Sequence, residues 1–327
     1  MAPLVNIAGL RVAFSGVPVL RGVDLSLQKG EALGLVGESG SGKSVTWLAA
    51  LGLLPRHAQV SGKVRLEGRE ILGAPATELD HVRGGRIAMI FQDPASALNP
   101  VLTIRRQLCE ALALHRDLQG QAAKAEARRL LDLVGIPDAG RRLDAYPHEF
   151  SGGQVQRVMI AMALAGNPDL LIADEPTTAL DATIQAQILE LLSTVRRELG
   201  MAMVLISHDL GVVAENCDRV AVMYAGRIIE EAPSNQLFAD PAHPYAQGLI
   251  GALPPLDGPR RRLTAIPGTV PDPAKMPGGC AFEPRCALAS EPCSLAAPAL
   301  APIADDRRVA CIRAEASRRA LLGIAAE

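Results

Sequence analysis

At 327 residues the chain is long enough to bury a full hydrophobic core and to form about two domains. A formal net charge of -2 with 21% charged residues excludes the strong basic field of a nucleic-acid binder and the acidic tail of a disordered protein. Nucleic acid is therefore not an expected partner. The N-terminal MAPLVNIAGLRVAF lacks a basic region followed by a long apolar core, which predicts no signal peptide. Uncharged runs such as Val45 to Pro55 are too short to span a bilayer, and the longer run from Pro241 to Leu256 is interrupted by four prolines. These features predict a cytoplasmic chain, in which the six cysteines would be reduced thiols and a cluster of them would point to a metal before disulfides.

Leu10 to Phe14 and Val23 to Gln28 alternate apolar and polar residues, as antiparallel strands with one buried face do. Phe14, on the first of them, is either core or a platform for an adenine ring. The apolar run EALGLV then turns into GESGSGKS, Gly37 to Ser44, which fits the phosphate-binding pattern G-x-x-x-x-G-K-[ST] between a strand and a helix. Gly37, Gly40 and Gly42 free the backbone so that N–H groups of the loop, through Glu38, Ser39, Ser41 and on to Val45, can face phosphate oxygens. Lys43 is placed to reach the β and γ phosphates of ATP, and the Ser44 hydroxyl to ligate Mg2+. The alternative is a glycine-rich turn that matches the pattern by chance.

GKVRLEGREI predicts a hairpin around Glu67 and Gly68, and Ile87 to Phe91 a strand that delivers Gln92, either a plain loop residue or a contact to Mg2+ and the attacking water. From Thr103 to Leu133 the apolar spacing is helical, predicting a helical insertion of about 94–150 in an α/β core. It closes on Ser151, Gly152, Gly153 and Gln154 ahead of a helix predicted over 154–166. That helix start suits either an ordinary serine cap or a second phosphate contact. LLIADEP reads as a buried parallel strand ending in Asp174, which would hold Mg2+ through water, and Glu175, which would orient or deprotonate the attacking water. A turn before Pro176 is the plain alternative. A helix follows with Ile184, Ile188, Leu191, Val195 and Leu199 along one stripe, then the strand Met203 to Ile206. It delivers His208, either a structural histidine or a γ-phosphate contact.

In this order the motifs resemble those of ATPase subunits of ABC transporters: phosphate loop Gly37 to Ser44, Gln92, signature Ser151 to Gln154, acidic pair Asp174 and Glu175, D-loop Ala179 to Asp181, switch His208. Phe150 replaces the leucine of the general LSGGQ signature, at a position that packs. The resemblance implies an α/β cassette of the P-loop NTPase type, with an antiparallel β subdomain, a RecA-like parallel-sheet core and a helical subdomain. It also implies that Ser151 and Gly153 bind ATP held by a second subunit, a copy of the chain or a related one. IFQDPASALNP, VMIAMALA and ADEPTTALDATIQAQILELL narrow the resemblance to the ATPase subunits of dipeptide, oligopeptide and nickel importers. Residues 1–232 are then the nucleotide-binding domain, and 233–327 a loop-rich C-terminal extension holding more than half of the prolines. The implied companions are two membrane permease subunits and, indirectly, an external solute-binding protein. The implied place is the cytoplasmic face of the membrane.

Cys280, Cys286, Cys293 and Cys311 concentrate in this extension. Their spacing, C-x5-C-x6-C-x17-C, matches neither the short pairs of common zinc sites nor ferredoxin runs, so spacing leaves zinc, an iron-sulfur cluster and free thiols open. The family resemblance implies a [4Fe-4S] cluster. Cys109 and Cys217 read as packing residues. A non-transport ABC ATPase is the main rival, but such chains carry a second cassette or a long coiled coil, and neither pattern occurs here.

Overall fold

The computed structural model describes residues 2–92, 97–178, 180–252 and 265–321. The chain divides into two compact units. One holds Met1–Leu27, Ala32–Leu72 and Ser207–Glu327, and the other Gln28–Glu31 with Gly73–Ile206.

In the first unit the expected early strands are present and longer than the alternation alone predicts. Val5–Phe14 pairs antiparallel with Val17–Leu27 on one side and with Ala58–Leu66 on the other. Two-residue turns close two hairpins: Ser15 and Gly16, at φ 49 and 81, join Val5–Phe14 to Val17–Leu27, and Glu67 and Gly68, at φ 48 and 83, join Ala58–Leu66 to the short strand Arg69–Glu70. Positive φ at both central residues matches the right-handed twist of the flanking strands, which is why the second hairpin falls where the sequence puts it. Beside this sheet, Ala32–Val36 is buried at every position and runs parallel to Arg219–Tyr224. Arg219–Tyr224 pairs antiparallel with Arg227–Pro233, and that strand pairs with Arg307–Val309 from the C-terminal extension. Two consecutive buried acids on Arg227–Pro233 are matched by arginines: Glu230 by Arg307 at 3.2 Å, and Glu231 by Arg219 and Arg308. A buried carboxylate is costly unless paired, so this edge of the sheet requires the returning strand.

The second unit is built on three parallel strands in the order 202–206, 170–174, 87–90. Every residue of Leu170–Asp174 and Ala202–Ile206 is buried, as strands covered on both faces must be. The helical region contains Ile104–Arg116, Gly120–Leu133 and Ala139–Arg142, and leads to Gly152–Leu164. Pro94, where the insertion was expected to begin, lies outside the described residues, as does Ala179 of the D-loop.

Three expectations need correction. The strand ends at Ile90, leaving Phe91 outside it and 43% exposed. The helix after Ser151 starts at Gly152, because Ser151 and Gln154 cap it from its first turn. Helix Ala182–Leu199 buries Ile188, Leu189, Leu192 and Val195, while Leu199 is 40% exposed. Ile188, Leu192 and Val195 follow the i, i+4, i+7 spacing of one face, and Leu191 lies one step of the helix away from it. Among the described residues no helix is long and apolar enough to cross a membrane.

Candidate functional site

The phosphate loop follows directly from the buried strand Ala32–Val36. At Gly37, φ is 150, and a Cβ would lie 2.2 Å from the Met223 carbonyl oxygen, so only glycine fits. At Gly42, which caps helix Lys43–Ala50 at φ 107, a Cβ would come within 2.6 Å of Leu20 Cδ2. Ser39 and Gly40 form the exposed rim, Glu38, Ser44 and Val45 are half-buried, and Ser41 and Lys43 are buried. The Lys43 ammonium folds back over the loop, donating to the carbonyl oxygens of Gly37 at 2.8 Å and Glu38 at 3.1 Å. The buried Ser41 Oγ has no hydrogen-bond partner. A buried cation, an orphaned hydroxyl and a helix N-terminus are gathered in eight residues, so the loop suits an anionic group. Phe14, in the same unit, is half-buried and meets the His57 ring edge-on, centroids 6.0 Å apart. His208 is exposed between Ser207, whose Oγ accepts from the Asp209 N–H at 3.0 Å, and Asp209, which caps helix Leu210–Asn216.

The second unit carries the remaining expected residues. Asp174 ends its strand 6% exposed. Glu175 follows in the left-handed region at φ 48, held there as its N–H donates to Ile206 O at 2.9 Å. Its Oε2 accepts from Gln92 Nε2 at 2.9 Å and from Thr178 Oγ1 at 3.0 Å. Gln92 and Glu175, 83 residues apart in the chain, are thus brought into direct contact. Ser151 and Gln154 form a reciprocal capping box, Ser151 Oγ accepting from the Gln154 N–H at 3.4 Å and Gln154 Oε1 from the Ser151 N–H at 3.1 Å. Gly152 is exposed, and Gly153 lies against Ile184, where a Cβ would meet Cγ2 at 2.8 Å.

The four tail cysteines converge without forming a ready metal cage. Cys280 N–H donates to Cys293 O at 2.8 Å, and burial pushes the Cys311 thiol up to about 11, with the charges of Cys280, Cys286 and Cys293 adding to the shift. All four are free thiols, and among the described residues no three His, Cys, Asp or Glu side chains are grouped to hold a metal ion. The expected metal centre is therefore not found as a set of ligands in place.

Two residues not singled out by sequence touch the phosphate loop. Tyr245 Oη accepts from the Glu38 N–H at 2.8 Å, and the Arg285 guanidinium grips the Glu38 carboxylate at 3.0 and 3.1 Å. A histidine-proline-tyrosine run and an arginine beside Cys286 were visible, but nothing local indicates what they reach.

Residues 20–178 match the ABC transporter family, and residues 229–293 match the C-terminal region of oligopeptide/dipeptide transporters. A Brucella melitensis protein named for peptide import and ATP binding is 52% identical over 297 residues, covering 89% of this chain and 90% of its own. The oligopeptide transport ATP-binding protein OppD of Escherichia coli is 48% identical, covering 95% and 93%. Among solved structures, cbiO1 of Clostridium perfringens, part of an ABC transporter complex, is similar with a TM-score of 0.64 and 28% identity over 73% of this chain and 92% of its own. The cassette MJ0796, solved as a dimer, gives 0.62 and 28%, covering 70% and 98%. Identity at this level, sustained over nearly the whole of both chains, makes this protein a member of the ABC transporter ATP-binding family, in its oligopeptide and dipeptide branch.

Proposed function

We propose that the chain is the ATP-hydrolysing subunit of an ABC importer that takes up dipeptides or oligopeptides through a separate membrane permease. The names of relatives half identical over most of their length support the peptide reading. Nickel or another small solute is the alternative cargo, and a non-transport ABC ATPase the remote one. The observation that carries the hydrolytic role is the Gln92–Glu175 hydrogen bond, which holds a carboxylate at the end of a buried strand by two directed donors.

In this reading Lys43 and the loop N–H groups beyond Glu38, whose own N–H is taken by Tyr245, bind the phosphates, Phe14 receives the adenine, and Ser44, Asp174 and Gln92 would hold Mg2+, which would supply charge neutralisation at the phosphate oxygens. Glu175 takes a proton from the attacking water, and His208 contacts the γ-phosphate. Ser151, Gly152, Gly153 and Gln154 close on ATP bound to the partner ATPase, so the working unit is a dimer on the cytoplasmic face of the membrane with two permease subunits. ATP binding closes that dimer and hydrolysis reopens it. The functional boundary lies near residue 233.

The same proposal extends to a [4Fe-4S] cluster on Cys280, Cys286, Cys293 and Cys311, with zinc as the alternative. Support comes from the convergence of the thiols, with the Cys280 N–H donating to Cys293 O at 2.8 Å and the Arg313 N–H to Cys311 Sγ at 3.3 Å. Anaerobically purified protein should show broad iron-sulfur absorbance; stoichiometric zinc without that absorbance selects the alternative.

The catalytic assignment is tested by two substitutions. Lys43→Ala weakens ATP binding, whereas Glu175→Gln keeps binding, lowers turnover by about 10²–10⁴-fold and accumulates an ATP-bound dimer. Wild-type turnover in Glu175→Gln would remove Glu175 as the base. Pull-down of the tagged chain from detergent-solubilised membranes should recover polytopic permease subunits, and recovery of ribosomes in their place would select the non-transport reading.

A further inference from the structure

We propose that Tyr245 and Arg285, in the C-terminal extension, are positioning residues of the phosphate loop: they fix the Glu38 peptide and carboxylate and thereby set ATP affinity. The proposal rests on the reading of Gly37 to Ser44 as the ATP site. It starts from the run His243, Pro244, Tyr245. His243 Nδ1 accepts from the Tyr245 N–H at 3.0 Å, Pro244 opens helix Pro244–Gly251, and Glu230 receives the N–H groups of Ala242 and His243 at 2.8 and 2.7 Å. With its backbone held at both sides, Tyr245 is wholly buried and delivers its hydroxyl to the Glu38 N–H.

Arg285 approaches the same residue from the cysteine segment. Its side chain is 5% exposed, and its Nε donates to Pro267 O at 2.8 Å. Two of its nitrogens fork onto the two Glu38 oxygens, and one also reaches Tyr224 Oη at 3.4 Å. The rings of Tyr224, Tyr245 and Phe282 pack against one another at 4.6–5.4 Å between centroids, and the guanidinium lies 5.8 Å from two of them. A buried guanidinium engaged on every side is a fixed arm, because any movement leaves a desolvated charge unpaired.

The peptide they hold matters to the loop. Glu38 O and Gly37 O are the two acceptors of Lys43 Nζ, so the clamp fixes the platform on which the phosphate-binding ammonium rests. Loosening it makes ATP order the loop at the moment of binding, which costs affinity without touching the groups that act on water. The signature is a KM effect with little change in kcat.

The experiment uses the full-length chain with a fluorescent ATP analogue for Kd and steady-state hydrolysis for KM and kcat. Tyr245→Phe and Arg285→Ala should each raise Kd and KM by about 10-fold, the range for a buried donor or carboxylate that loses its partner, with kcat within about two-fold of wild type. Arg285→Lys, which keeps the charge but not the fork, should fall between. Added to Glu38→Ala, Arg285→Ala should have no further effect. If Lys43→Ala weakens binding but Tyr245→Phe and Arg285→Lys do not, the clamp is refuted and the ATP site stands; multiplicative effects of Glu38→Ala and Arg285→Ala refute it equally. If wild type and Lys43→Ala bind the analogue equally, the ATP-site reading itself fails. Tyr245→Phe keeps the buried ring, so it decides the matter even if Arg285→Ala does not fold.

Discussion

Among the described residues seven non-glycine residues have positive φ, and one of them, Glu175, is a candidate site residue. Glu175 is a non-glycine residue in the left-handed region, a conformation that costs on the order of 1–3 kcal/mol. It persists because the backbone bond to Ile206 and the side-chain bonds from Gln92 and Thr178 over-determine it. Glycine would relieve that strain and give back part of the gain as chain entropy. Glu175→Gly should therefore raise Tm by roughly 1–3 °C while lowering ATP turnover about 10²-fold or more, read by thermal denaturation and phosphate release. A lower Tm would show that the two side-chain bonds outweigh the strain.

At the scale of an element, helix Gly152–Leu164 is fixed at its first turn by its own cap. In the chain described here Ser151 and Gln154 spend their side chains on capping each other's backbone, which stabilises the helix start by about 1 kcal/mol. The two glycines behind the cap are not equivalent. A Cβ on Gly152 meets nothing within 4 Å, but on Gly153 it would press on Ile184 in helix Ala182–Leu199. Gly152→Ala should leave Tm unchanged or slightly raised, and Gly153→Ala should lower it by the equivalent of about 1–3 kcal/mol of overpacking. Equal Tm values for the two variants would show that Ile184 yields.

For the whole molecule, pH is the useful variable. Complete burial brings His243 down from 6.5 to about 3, so the folded protein holds it neutral, with Nδ1 accepting from Tyr245. The unfolded chain binds a proton there first, so this contribution is complete above pH 6.5 and is lost as pH falls from 6.5 toward 3. Glu230 acts in the opposite sense, since burial raises its carboxyl despite the Ala242, His243 and Arg307 donors. His243→Asn keeps a capping acceptor that does not titrate. Wild type should therefore lose stability relative to that variant by at most about 1.4 kcal/mol per pH unit below 6.5, seen as converging Tm curves on acidification. Parallel curves would mean that His243 is not held neutral.

The motifs were legible in the sequence because each is written in consecutive residues. The loop Gly37 to Ser44, the cap at Ser151, the acidic end of Leu170–Asp174 and the hairpin at Glu67 and Gly68 depend on backbone conformations and side chains within a few positions of each other. Hydrophobic spacing found helix Ala182–Leu199 but misjudged its stripe, since Leu191 and Leu192 satisfy the same period almost equally and only packing chooses between them. What the tertiary structure alone decided is which distant groups share a buried space. Glu38 meets Tyr245 across 207 residues and Arg285 across 247, Glu230 is neutralised by Arg307 across 77, and four thiols spread over the tail come together without a ready metal cage. Pairing of buried charge depends on where the chain returns in space, and no local pattern of residue types carries that information.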